Sequence, residues 1–264
     1  MPMNQRLLRP LAKGRTLYFN AAVDSDWATL GNWWTSGAFT TQASALPSSG
    51  DSVVLSATCD TNSGSAPTVV NFTLDDPYYD GFYIEVAITV TGNATFNGES
   101  FNGGTVSGNA TFNDIAYNSN IVTGYATFND SSSNSSTVTG NATFNDYASN
   151  GGTISGDATF NDSAYNNGGT ITGDATFNDE SFNSSTVEGD ATFNGSASNG
   201  GTVEGDATFN GSAYNYDGLV TGNATFNGSS INFSTVVGTA TFTGSACNSA
   251  GTAGTFVPNP PPSC

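Results

Sequence analysis

The sequence predicts an all-β chain: a single-chain β-solenoid (β-helix) of ten coils of about 16 residues, with an N-terminal β cap and a short basic N-terminal arm. Three observations carry this reading. A unit that opens on glycine returns at Gly92, Gly108, Gly124, Gly140, Gly156, Gly173, Gly189, Gly205, Gly222 and Gly238, spaced by 16 residues and twice by 17. Self-similarity at a short fixed period marks a repeat architecture, and a helical repeat needs about 30 residues or more. The unit is rich in Thr, Val, Phe and Asn and nearly free of Leu, Lys, Gln and Glu, which is a strand composition. Within it, Val187, Gly189, Ala191 and Phe193 alternate with Glu188, Asp190, Thr192 and Asn194. That period of two sends one set inward and the other outward.

Taken in order, the run TVEGDATFN is one long strand or two short strands bent at the glycine. The fifth position is always Phe: Phe96, Phe112, Phe128, Phe144, Phe160, Phe177, Phe193, Phe209, Phe226 and Phe242. Coils stacked at the inter-strand spacing of about 4.8 Å place like on like, so this column becomes an apolar spine. The ninth position is always Ser or Ala, from Ser100 to Ala246. The eleventh is always Asn: Asn102, Asn118, Asn134, Asn150, Asn166, Asn183, Asn199, Asn215, Asn232 and Asn248. This column reads as a stacked turn, because Asn tolerates positive φ and its amide can bond both neighbouring coils. The two 17-residue units add their residue just after this Asn, in NNGGT and NYDGL, so a loop bulges there without breaking the stack. Ten coils make a rod of roughly 50 Å with a thin core, held by backbone ladders and neighbour stacking.

Four segments follow along the chain. Residues 1–15 form the basic arm. Residues 16–91 are not repetitive, hold Trp27, Trp33 and Trp34, and contain the strand-like runs VVL, VVNFTL and FYIEVAITV. An open solenoid end is an exposed edge, so this segment is expected to cap it. Residues 92–253 are the solenoid, and 254–264 a proline-rich tail whose missing N–H groups stop further stacking.

Charge is lopsided: 22 acidic residues face 4 basic ones and no His, and Arg6, Arg9, Lys13 and Arg15 are all the cations. An acidic body repels nucleic acid, whose phosphates need Lys or Arg, so no nucleic-acid partner is expected. The arm attracts something anionic and reads as an anchoring peptide for a larger assembly, with a disordered leader as the alternative. It lacks the apolar run of a secretory signal, and no stretch of 18 apolar residues predicts a membrane span. Three cysteines, Cys59, Cys247 and Cys264, cannot all pair within one chain. Cys247 and Cys264 could staple the tail to the last coil, but free, partly buried thiols are the favoured reading.

Little here can do chemistry. After Arg15 there is no His, Lys or Arg, so no His-based triad and no cationic phosphate clamp can be assembled. Carboxylate pairs could serve a glycosidase, but coils this regular leave no irregular loop for an active site; no enzyme activity, cofactor or metal is expected. The second-position row Asp157, Asp174, Asp190 and Asp206 is read as solvated, with bridging Ca²⁺ as the alternative. The all-Thr fourth position, Thr95 to Thr241, reads as a strand preference rather than an ice-binding plane, which flanking carboxylates would spoil.

The repeats GNATFND and GTITGDATFND resemble β-solenoid repeats in long surface and fibre proteins of bacteria and their phages. The segment DSDWATLGNWW…LPSSGDSVVL is similar to openings that precede secreted or virion β-helices, and MNQRLLRPLAKG resembles N-termini of structural proteins of tailed bacteriophages. The resemblance implies a non-catalytic virion protein (tail fibre, spike or capsid decoration) held by its arm to other virion proteins. It also implies a homo-oligomer, a trimer among the candidates, and contact with a host surface. The alternative is a bacterial extracellular or surface solenoid, an adhesin or ice-binding protein.

Overall fold

The computed structural model of the protein describes residues 14–56, 68–74, 88–258 and 260–264. Arg6, Arg9, Lys13, Cys59, the turn at Asp75, Asp76 and Pro77, and most of FYIEVAITV lie outside the described residues.

The chain is a β-solenoid of stacked parallel coils. The run around each glycine is two short strands bent there, as in Thr186–Val187 and Ala191–Phe193. A third strand ends on the eleventh-position Asn, as in Phe182–Asn183. Each column pairs with its like in register: Ala191 with Ala207, Thr192 with Thr208 and Phe193 with Phe209. The longer units keep this register, since Thr170 still pairs with Thr153 and Val220 with Val203. Their extra length is absorbed at Gly168 (φ 85°) and Asp217 (φ 59°), both left-handed.

The glycine at the bend is required by close approach rather than by its own φ. A Cβ on Gly189 would lie 2.5 Å from the Gly173 carbonyl oxygen and 2.6 Å from Asp174 Oδ1. Successive backbones touch at this corner, so no larger residue fits without moving a coil.

Inside, the Phe column is a continuous stack. From Phe96 to Phe242 the ring centroids stand 4.7 to 5.0 Å apart with planes within 11° of parallel. The spacing follows from the backbone ladder, and it lies within the range of favourable aromatic stacking. The column continues into the N-terminal segment. Strands β1 (Thr16–Phe19), β3 (Ser52–Leu55) and β4 (Phe72–Leu74) pair in parallel, and their Phe19, Leu55 and Leu74 lead to Phe96.

The Asn column also faces inward, and this corrects the sequence reading of it as a positive-φ turn. Asn118 through Asn232 are fully buried and extended. Each amide donates to the next coil's Asn, from Asn102 to Asn248, at 2.8 to 3.1 Å. Several also hold their own bend, as when Asn183 Nδ2–H donates to the Ser185 carbonyl oxygen. The left-handed residue is the seventh instead: Asp114, Asp130, Asp146, Asp162 and Asp179, with φ of 56 to 60°, and Gly98, Gly195, Gly211, Gly228 and Gly244. The chain must reverse between the Phe strand and the Asn strand. Gly accepts that φ freely, and Asp is among the few other residues that do.

In the ninth column, the Oγ atoms of Ser100, Ser132, Ser181 and Ser230 are buried with no hydrogen-bond partner among the described residues. Ala fills the same place in neighbouring coils, for example Ala164 and Ala197. Ser181→Ala removes an unsatisfied hydroxyl at no cost in shape, so it is expected to stabilise the rod by about 1 kcal/mol in chemical denaturation. A destabilised variant would show that the hydroxyl is satisfied.

The two ends of the rod are finished differently. At the N-terminal end, β2 (Trp33–Trp34) lies antiparallel on β1. Trp33 is buried edge-on against Phe19 and Trp27, and its indole N–H donates to the Trp27 carbonyl oxygen. At the C-terminal end, Cys247 and Cys264 form a disulfide, with their Cα atoms 5.3 Å apart. The tail lies along the last Asn strand, where the Asn248 N–H donates to the Pro262 carbonyl oxygen. The favoured reading of these two cysteines as free thiols is therefore corrected: the tail's return along the final coil brings them within bonding distance.

Candidate functional site

Three outward columns flank each Phe strand: the second, fourth and sixth positions. The second-position row is exposed, but its carboxylates do more than face solvent. Asp157 Oδ1 accepts the Asp174 backbone N–H, Asp174 Oδ1 that of Asp190, and Asp190 Oδ1 that of Asp206, at 2.8 to 3.1 Å. Asn performs the same task lower in the stack, where Asn93 Oδ1 accepts the Asn109 N–H. The row thus satisfies, with the next coil's side chain, N–H groups left over where the strand bends at glycine.

The sixth position forms a second Asn ladder, which sequence reasoning missed. Asn113 Nδ2–H donates to Asn97 Oδ1, and the chain of amides runs on to Asn227, with Thr243 closing it. Its bonds point toward the N-terminal end, opposite to the buried ladder. The signal was present, since nine of the ten sixth-position residues are Asn.

The left-handed Asp column and the residues after it line a shallow groove of about 400 Å³, bounded by Asp146, Tyr147, Asp162, Ser163, Asp179 and Glu180. Carboxylates one coil apart approach the roughly 5 Å separation used by retaining glycosidases. That chemistry needs an acid and a nucleophile held in different environments. Asp146, Asp162 and Asp179 occupy one repeating position with one backbone conformation, and they differ in the residue that follows each: Tyr147, Ser163 and Glu180. Among the described residues no group of three or more His, Cys, Asp or Glu side chains is arranged to hold a metal ion. No helix among them is long and apolar enough to cross a membrane.

Of the four cations assigned to the arm, Arg15 is described, and it belongs to the body. Its guanidinium makes a two-pronged contact with the buried Asp51: Nη2 at 2.7 Å from Oδ2 and Nε at 3.2 Å from Oδ1. The Arg15 backbone N–H also donates to Asp51 Oδ1. Ser48 donates to Oδ2 from both its N–H and its hydroxyl. The Arg15 hydrogen bond, against some cost of burial, holds the Asp51 carboxyl far below the usual carboxylate range and raises Arg15. Arg15 is thus a clamp between β1 and the turn that leads into β3, and its charge is already paired.

This clamp has a pH signature. The folded pKa of Asp51 lies below its unfolded value of about 3.9, so the stabilisation is complete above that value and fades as pH falls below it. The cap is therefore expected to loosen between roughly pH 4 and pH 2. Hydrogen exchange at Leu17 and Val53 should accelerate there in the native chain, and Asp51→Asn should flatten the response. An acid response unchanged by Asp51→Asn would exclude the clamp as its source.

Comparison with models of known protein families, with curated proteins and with solved structures returns no match for this chain.

Proposed function

We propose that this chain is a non-catalytic structural protein, a rod that projects an acidic surface rich in Thr and Asn from an attachment point at its N-terminal end. The observation that supports this best is the unbroken register. Equivalent positions of the unit pair from the first repeat to the last, and both insertions are confined to one bend. A catalytic centre needs unlike groups brought together, and this lattice repeats one environment.

The setting we favour is a bacteriophage virion, as a tail fibre, spike or capsid decoration protein. With Arg15 engaged by Asp51, attachment falls to Arg6, Arg9 and Lys13, which would dock on an anionic surface of other virion proteins. The disulfide between Cys247 and Cys264 fits a site outside a reducing cytosol, such as a virion exterior. It equally favours the second reading, an extracellular or cell-surface solenoid that serves adhesion or ice binding.

Mass spectrometry of particles, cell envelope and medium from one producing culture separates the two. The virion reading expects the protein in the particle fraction, with release by high salt and loss on deletion of residues 1–13. Recovery from envelope or medium alone would sink it in favour of the surface reading. Cleavage of surface glycans by the purified rod would sink the non-catalytic role itself.

A further inference from the structure

The C-terminal end of the rod differs from the acidic coils and from the N-terminal end, as far as the described residues show them, in two ways. The last strand, Thr252–Val257, pairs in parallel with the strand Thr235–Phe242 on one side, and among the described residues no strand pairs with it on the other. An edge strand presents a row of unpaired N–H and C=O groups, and proteins usually blunt it with charge, proline or a covering segment. TAGTFV holds no charge and no proline, and the tail beyond it covers the neighbouring Asn strand instead. The Phe spine also ends here, with Phe256 beyond Phe242 and only partly covered. Val257, and Val237 at the register shift next to Gly254, are 47% and 58% exposed.

The second difference is charge. The acidic residues run as far as Asp217, and residues 218–264 contain no Asp, Glu, Lys or Arg. Two copies approaching side by side oppose carboxylate to carboxylate along the acidic coils. At the N-terminal end, the antiparallel β2 already occupies the edge of β1. The C-terminal end is where a second copy meets no charged side chain and, among the described residues, finds an open ladder.

We propose that the strand Thr252–Val257 is a docking edge for a second copy of this chain, joined antiparallel across a two-fold axis so that two rods meet end to end. In this arrangement each strand supplies the ladder that the other lacks. A two-fold contact uses the same surface on both copies and closes on itself. The product is a dimer twice as long as one rod, and it does not grow into a filament. This interface is independent of what the N-terminal arm binds.

The test uses the full 264-residue chain with its disulfide intact. A six-residue strand pair is a small interface, so affinity in the micromolar range is expected. Sedimentation should show twice the 26.9 kDa chain mass at about 100 μM. Small-angle scattering should show a maximum dimension near twice that of the dilute protein. Thr255→Lys with Val257→Lys places like charges across the axis and should leave a monomer with native circular dichroism; Thr255→Pro removes a donor and should do the same. A native chain that stays monomeric at that concentration overturns the proposal. So does a dimer no longer than the monomer, or one that persists in a folded lysine variant.

Discussion

Asn183→Ala is expected to cost about 4 kcal/mol of stability, more than its modest size suggests. Asn183 Nδ2–H donates to Asn199 Oδ1, and its own Oδ1 accepts from Asn166 Nδ2–H, both at 2.9 Å. All three amides are fully buried. Truncation leaves Asn199 Oδ1 with only the longer bond from the Gly201 N–H, and Asn166 Nδ2 with only its bond to the Gly169 carbonyl oxygen; each buried polar group left short of a partner costs about 1–3 kcal/mol. Asn194→Ala, in the outer and partly exposed ladder, removes equivalent bonds where water can replace them. Its cost is expected near 1 kcal/mol. Chemical denaturation of the two variants decides the point, and equal losses would mean that the inner ladder is not dry.

Phe193→Ala is expected to cost about 3–5 kcal/mol. Its ring is fully buried, with Phe177 4.9 Å away on one side and Phe209 4.8 Å on the other. Because coils touch only their neighbours, the stack cannot easily collapse along the axis to fill the gap. Phe193→Leu keeps most of the volume and should lose well under half as much. Tyr147→Ala, at a side chain 67% exposed, should stay within about 0.5 kcal/mol. A Phe193→Ala variant as stable as Tyr147→Ala would remove the spine from the account.

The parts of this structure that the sequence made legible are those where one residue type repeats without exception. Phe at the fifth position and Asn at the eleventh each recur in every unit, and period two fixed which of the strand residues point inward. The insertions were legible as well, because both fall after the same Asn. What escaped were choices between two residues that can do one job. Asp and Gly share the seventh position because both accept a left-handed backbone, yet the uniform Asn drew the turn assignment to itself. An extended Asn facing inward is unexpected from propensity, since burying an amide is costly unless both of its ends are bonded. Stacking supplies both partners.

The ends were less legible for a different reason. Arg15 looked like the last cation of an arm, and only the fold brings Asp51 to it across 36 positions of sequence. The disulfide likewise depends on the tail running back along the final coil, which three cysteines and a proline cluster do not specify. Of the candidate site, the acidic second-position row was found by its repetition. Its role as acceptor for the next coil's N–H was not, because that role depends on the bend at glycine.

The central claim is that each unit of 16 residues is one interchangeable coil, and excision tests it most directly. Removing Gly189–Glu204 joins Glu188 to Gly205 and restores TVEGDATFN across the junction. Every remaining column keeps its register. The shortened chain is expected to retain the native circular dichroism per residue and to melt cooperatively, since its stability is a sum over coils and their neighbours. Removing residues 189–196 alone brings Phe columns against turn residues, and that chain should lose its ordered spectrum. If removal of the whole unit unfolds the protein as completely as removal of half of it, the coils are not interchangeable and the solenoid account is contradicted.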